Sequence, residues 1–351
     1  MKLSAPRTLH LLLCALLCAS FSTAQAQQTA LRQHGAILVS AKQSRTLAIV
    51  DATTYKVLAR IPIGEDPHEV VVSPSDRTAF ISQLGDGTLQ SISRVDLVHA
   101  KPLPPFNPAP LRGVHGLAVH GDKLWVTAVG SKALGELDAA TGRVLSILGT
   151  GQDNTHMLWI SRDGKKMLAA NAGSSTMTIF DLNEPRVNTG ASQPYKPSPQ
   201  PDWHAKLLPV GEKAEGFAVS PDEHEAWVGN ADGTISVLDL TTDKVSATFD
   251  AGTLGANRVR FTPDGARVIL TTHTGKNLVL LDAHTRKVLK LIPIEERGAS
   301  GIQISPDGNR AFIACPRDNI VAVVDLNKLE RIATIEVGTE PDGITWWDGG
   351  R

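Results

Sequence analysis

The sequence is poor in cysteine, with three in 351 residues. Two of them, Cys14 and Cys18, fall in an N-terminal segment built like a secretory signal. Lys2 and Arg7 stand there without an acid, an apolar run extends from Leu9 to Ala19 with only His10 interrupting it, and small residues follow at Ser22-Thr23-Ala24-Gln25-Ala26. Cleavage after Ala26 is expected, and it leaves Cys315 as the sole cysteine, which excludes an intramolecular disulfide and makes packing alone responsible for the fold. Leu13 and Leu17 precede the two lost cysteines, where a lipoprotein signal needs a small residue, so lipidation is not expected. The sequence also lacks an apolar run long enough to cross a bilayer. It lacks an excess of either charge: without Lys2 and Arg7, its 35 basic residues become 33 against 36 acidic ones. Nucleic acid is therefore not an expected partner. No Gly-Lys phosphate loop, no Gly-x-Ser-x-Gly elbow, no Cys-x-x-Cys-His and no His-x-x-x-His is present. The reading is an exported, periplasmic or secreted monomer with no membrane span.

What the sequence has is repetition. An apolar strand ends in Asp and is followed by a short turn, a basic residue and an apolar one. It reads Ile49-Val50-Asp51 with Lys56-Val57, Glu136-Leu137-Asp138 with Arg143-Val144, Val237-Leu238-Asp239 with Lys244-Val245, and Leu280-Leu281-Asp282 with Lys287-Val288. Weaker copies end at Asp96, Asp181 and Asp325, making seven, at spacings of 45, 42, 43, 58, 43 and 43 residues. Between them runs a second motif, complete in Thr262-Pro263-Asp264-Gly265 and Ser305-Pro306-Asp307-Gly308 and degenerate at Ser73, Ser161 and Ser220. Proline presets one turn dihedral and glycine tolerates positive φ, so this motif predicts a tight turn between strands. The apolar runs are short and β-branched, as in Val70-Val71-Val72 and Val268-Ile269-Leu270.

A repeat in the low forties made of four strands predicts an all-β, seven-bladed β-propeller of four-stranded antiparallel blades over residues 27–351. The C-terminal Asp342–Gly349 reads as a first strand and Ala36–Ser40 as a second, so one blade would join the two termini and close the ring. The units resemble the YVTN β-propeller repeat family, a WD40-like architecture: Val337-Gly338-Thr339-Glu340-Pro341-Asp342-Gly343-Ile344 is similar to its link between blades, and Ala226-Trp227-Val228-Gly229-Asn230 stands where that family has its signature. The resemblance implies the fold. It implies no single function, because propellers host binding modules, lactonases, lyases and redox enzymes.

Function is sought where copies differ. Lys101–Pro110, with five prolines, and the Pro-rich insertion 188–203 read as surface loops, the latter offering Tyr195 and Trp203 as partner anchors. Counting five positions back from each turn motif gives His68, His115, His156, Glu215, Asn257, Ser300 and Asp342, polar in every repeat, with Arg258 beside Asn257. In a propeller they would converge at the mouth of the central channel as a ring for a small ligand or a periplasmic protein partner. His68, His115, His156 and Glu215 are candidate ligands for zinc or copper, and the same groups could do acid–base work. His273, Arg45 and Arg317 are expected on the same face. A wet channel mouth also attracts polar residues without any function. Three readings stay open: a binding or scaffold protein, a lactonase-like hydrolase or lyase, and a metal carrier. The turn aspartates are expected to bond backbone amides, and Trp125, Trp159, Trp227, Trp346 and Trp347 to pack between blades.

Overall fold

A computed structural model describes residues 35–73, 77–183, 202–252, 254–294 and 297–349. The signal segment, Tyr195 and most of the Pro-rich insertion lie outside the described residues. Among those described, 28 strands form seven antiparallel four-stranded sheets. This is the seven-bladed β-propeller that the repeat predicts.

The innermost strands are Pro67–Ser73, Val114–His120, Thr155–Ile160, Gly216–Val219, Ala256–Phe261, Ile302–Ile304 and Pro341–Trp347, each touching the next around a ring that closes from the last to the first. The seventh is the C-terminal strand, which pairs antiparallel with the N-terminal strand Ala36–Ala41. That blade then continues outward through Thr46–Asp51 to Val57–Pro62. The two middle strands of each blade carry the core: Ile37, Leu38, Phe80, Ile81, Leu124, Leu168, Trp227, Ile269 and Phe312 are all inaccessible to solvent. Burial falls outward, and the outermost strand Lys244–Asp250 alternates exposed and half-buried residues.

The turn aspartates do what their position predicts. Asp51 Oδ1 accepts from the amides of Thr53 and Thr54, Asp138 from Ala140 and Thr141, and Asp239 from Thr241 and Thr242. Trp125, Trp227 and Trp347 are buried as expected, whereas Trp159 and Trp346 are half-buried. Lys101–Pro110 departs from expectation, since Lys101–Phe106 is the outer strand of its blade, paired with Ile92–Asp96. An outermost strand pairs on one side only, so proline removes no required hydrogen bond there. Trp203, read as a partner anchor, opens the outer strand Asp202–Pro209 and packs edge-on against Trp125 at 5.8 Å.

Candidate functional site at the channel mouth

His68, His115, His156, Asn257 and Asp342 are each the second residue of an inner strand, Glu215 immediately precedes one, and Ser300 lies two residues before another. Seven residues spread from position 68 to position 342 thus stand at one level of the channel. In five blades the register against the second strand slips at this level. A slip of this kind is a β-bulge, which bends the strand and re-aims its side chains next to a site.

The bulge interrupts the ladder, and second-strand hydroxyls repair it. Thr127 Oγ1 accepts from Gly116 N at 2.7 Å and donates to the carbonyl of His156 in the next blade at 2.7 Å. Ser40 Oγ accepts from Gly343 N and donates to the carbonyl of His68. Thr271 accepts from Arg258 N and donates to Ser300 O, and Ser82 accepts from Glu69 N. Each hydroxyl that bonds across blades clamps a site residue of its neighbour. Backbones approach closely here: a Cβ on Gly116 would stand 2.6 Å from the His156 carbonyl oxygen, so only glycine fits.

The mouth encloses about 250 Å³, lined by Lys42, His68, His115, His156, Glu215, Asn257, Arg258, His273, Ser300, Arg317 and Asp342 among others. Three imidazoles lie side by side. The His68 and His115 ring centroids are 4.8 Å apart, and those of His115 and His156 are 3.7 Å apart with 30° between planes. Their environments differ. His68 donates to Asp342 Oδ2 at 3.1 Å and to Asp66 Oδ1 at 3.2 Å. Burial opposes its charge, but these two carboxylates prevail and raise its pKa. Burial alone would raise the Asp342 carboxyl; Lys42 at 2.9 Å, with His68 and Arg258, holds it well below the usual carboxylate range. Ser300 Oγ donates to the other Asp342 oxygen.

His156 behaves oppositely. Burial, with Arg258 adding to it, pushes its pKa down to about 4. Its Nδ1 lies 3.1 Å from the Glu215 carbonyl oxygen, an acceptor, which assigns the proton to Nδ1 and leaves a lone pair on Nε2. Burial and the charges of His156, His68 and Arg258 push His115 well below the ordinary imidazole range. His115 Nδ1 is buried without a hydrogen-bond partner among the described residues. Glu215 also pairs with His273 Nε2; burial would raise its pKa, but that bond and the charges of His156 and Arg258 bring it to about 2. Arg258 donates to Asn257 Oδ1 at 2.6 Å and to Glu69 Oε1 at 2.7 Å.

All eight residues expected at the mouth therefore line one cavity, and His273 and Arg317 join them. Arg45 does not; it pairs with Glu65 at the surface. Lys42, Asp66 and the hydroxyls of Ser40 and Thr127 were not singled out from sequence. A recurring Ser or Thr one residue before the end of the second strand (Ser40, Ser82, Thr127, Thr271) was the available signal. His115 and His156 lie face against face, and among the described residues no group of three or more His, Cys, Asp or Glu is arranged to hold a metal ion.

No protein-family model and no curated protein matches the chain. Solved structures do. A Desulfotomaculum acetoxidans protein of unknown function superposes with a TM-score of 0.70 at 13% identity, covering 89% of this chain and 98% of that one. Candidate 6-phosphogluconolactonases of Bacteroides fragilis and Bacteroides uniformis give TM-scores of 0.67 and 0.68, each at 16% identity and 89% coverage of this chain, with 97% and 99% of their own. These likenesses show the fold. The YVTN resemblance rests on the repeat motifs alone.

Proposed function

We propose that this protein is an exported binding protein that takes a small, hydroxylated, anionic ligand at the histidine mouth. The observation that carries the reading is His115: a buried neutral imidazole with an unpartnered Nδ1, set between two other imidazoles in a 250 Å³ cavity. A buried polar atom left unsatisfied is destabilising, by roughly 1–3 kcal/mol, and a ligand group that satisfies it recovers that energy. The free lone pair of His156 Nε2 would accept from a ligand hydroxyl, while Lys42 and Arg317 at the rim favour negative charge. Secretion to the periplasm through residues 1–26 belongs to the same reading.

The test is calorimetric titration of the chain from Gln27 with gluconate, beside His115→Phe, which keeps the ring shape and removes both nitrogens. Saturable binding in the native protein, weakened tenfold or more in the variant, is the expected outcome. Equal affinity in both, or no heat in either, overturns the reading. Elemental mass spectrometry of the same samples tests a zinc or copper site at His68, His115, His156 and Glu215: stoichiometric metal lost in the triple alanine variant of the three histidines would establish it.

A lactonase-like hydrolase is the second reading, favoured by His156. Its neutral state and fixed tautomer suit a general base, and two structural neighbours are candidate 6-phosphogluconolactonases. Hydrolysis of gluconolactone above background, abolished in His156→Ala, supports it; a background rate refutes it.

A further inference from the structure

The channel does not end at the histidines. The Arg258–Glu69 pair spans it, joining inner strands three blades apart around the ring. Beyond the pair, toward the opposite face, lies a second chamber of about 420 Å³ that the mouth reading leaves unused. Apolar and polar residues share its walls: Trp159, Phe217 and Phe261, which also pack against the core between blades, line it, and so does one cation, Arg260.

The charge balance of this chamber is uneven. Glu69 is the only carboxylate among its described lining residues, and that carboxylate is already engaged by Arg258 at 2.7 Å. Two guanidiniums thus share one acid. The Arg260 guanidinium makes no hydrogen bond or ion pair to a described residue, and the Glu69 charge acts on it only through space. An arginine whose one nearby carboxylate is already engaged by a second guanidinium is an unfavourable arrangement for an empty protein and a favourable one for an anion. Planar guanidinium donors match a carboxylate in two-pronged fashion, and the flanking aromatic rings offer flat apolar surface.

We propose that this chamber is a second binding site, specific for an organic carboxylate with an aromatic or other flat apolar body, whose carboxylate pairs with Arg260. The site is independent of the histidine mouth, and its test does not depend on the outcome there.

The probe is 3-phenylpropionate, titrated calorimetrically into the chain from Gln27 in low-chloride buffer, against its neutral amide 3-phenylpropionamide. The acid is expected to bind one to one and at least tenfold tighter than the amide. Arg260→Gln is expected to reduce the acid to the level of the amide, and Arg260→Lys to retain part of the difference. Trp159 supplies a local readout: binding should change tryptophan emission, and Trp159→Phe should remove the change. Four results would each overturn the proposal: no binding of the acid, equal affinity for acid and amide, unchanged affinity in a folded Arg260→Gln, or displacement by chloride at equal concentration, which would mark an unselective anion hole. The acid–amide comparison uses the native protein, so it decides even if a variant fails to fold.

Discussion

At the scale of single residues, the mouth sets like groups to opposite tasks. Two carboxylates favour the charged form of His68 against its burial, and His156 is held neutral by burial. Their effects on stability have opposite signs. His156 falls from about 6.5 in the unfolded chain to about 4 on folding, so below pH 6.5 the unfolded chain binds a proton that the folded one refuses. Stability should drop as pH falls from 6.5 toward 4, by on the order of 3 kcal/mol from this group alone. Glu215, lowered to about 2, extends the loss at still lower pH. His68 is raised, so its contribution is complete below 6.5 and fades as pH rises through its folded value. Urea midpoints at pH 7.5 and pH 5 should therefore show a decline that His156→Gln reduces; an identical decline in the variant would mean that His156 is not the group titrating. The Arg258–Glu69 pair offers a second residue-scale prediction. Arg258→Leu or Glu69→Leu alone leaves a buried charge unpaired and should cost about 3–5 kcal/mol, while the double variant should cost less than the sum. Additive losses in the double-mutant cycle would show that the two do not interact. The type and position of the mouth residues were legible as the polar column running from His68 to Asp342. Their protonation was not, because it follows from neighbours hundreds of residues away, such as Lys42 on Asp342 or Glu69 on Arg258.

At the scale of elements, the bulged start of five of the seven inner strands is what turns a repeat into a site. The bulge is stable because a neighbouring strand supplies a hydroxyl where the ladder has a gap. Thr127→Val keeps the shape and removes that hydroxyl, leaving Gly116 N and the His156 carbonyl unsatisfied in a fully buried place. A loss of about 1–3 kcal/mol is expected in chemical denaturation, with the ligand affinity of the mouth falling alongside. Gly116→Ala should be worse, because the added Cβ meets backbone that cannot move without shifting the next blade. A neutral result for either would place the clamp outside the stabilising contacts. Strand identity and turn chemistry were legible here from Asp51, Asp138 and the Pro-Asp-Gly runs, since these interactions are local. The strand Lys101–Phe106 was misread as a loop because its prolines signal irregularity, and only its place on the outer edge makes them harmless.

At the scale of the whole molecule, closure matters most. The strand Pro341–Trp347 completes the blade begun at Ala36–Ala41 and buries Trp347 against Leu38 and its neighbours. Removing Asp342–Arg351 would unpair an inner strand, open a sheet edge and take Asp342 from the mouth. A cooperative loss of stability across the molecule is expected in thermal melts followed by circular dichroism, and an unchanged transition would show that the ring does not need its clasp. The number of blades, the closure and the column of polar residues were determined by the sequence, because each follows from a period or a motif repeated along the chain. The tertiary structure decided which of those residues meet, which are charged, and that a second, arginine-bearing chamber lies beneath them. Those properties depend on through-space distances across a channel, and no linear spacing encodes the neighbours that a closed ring brings together.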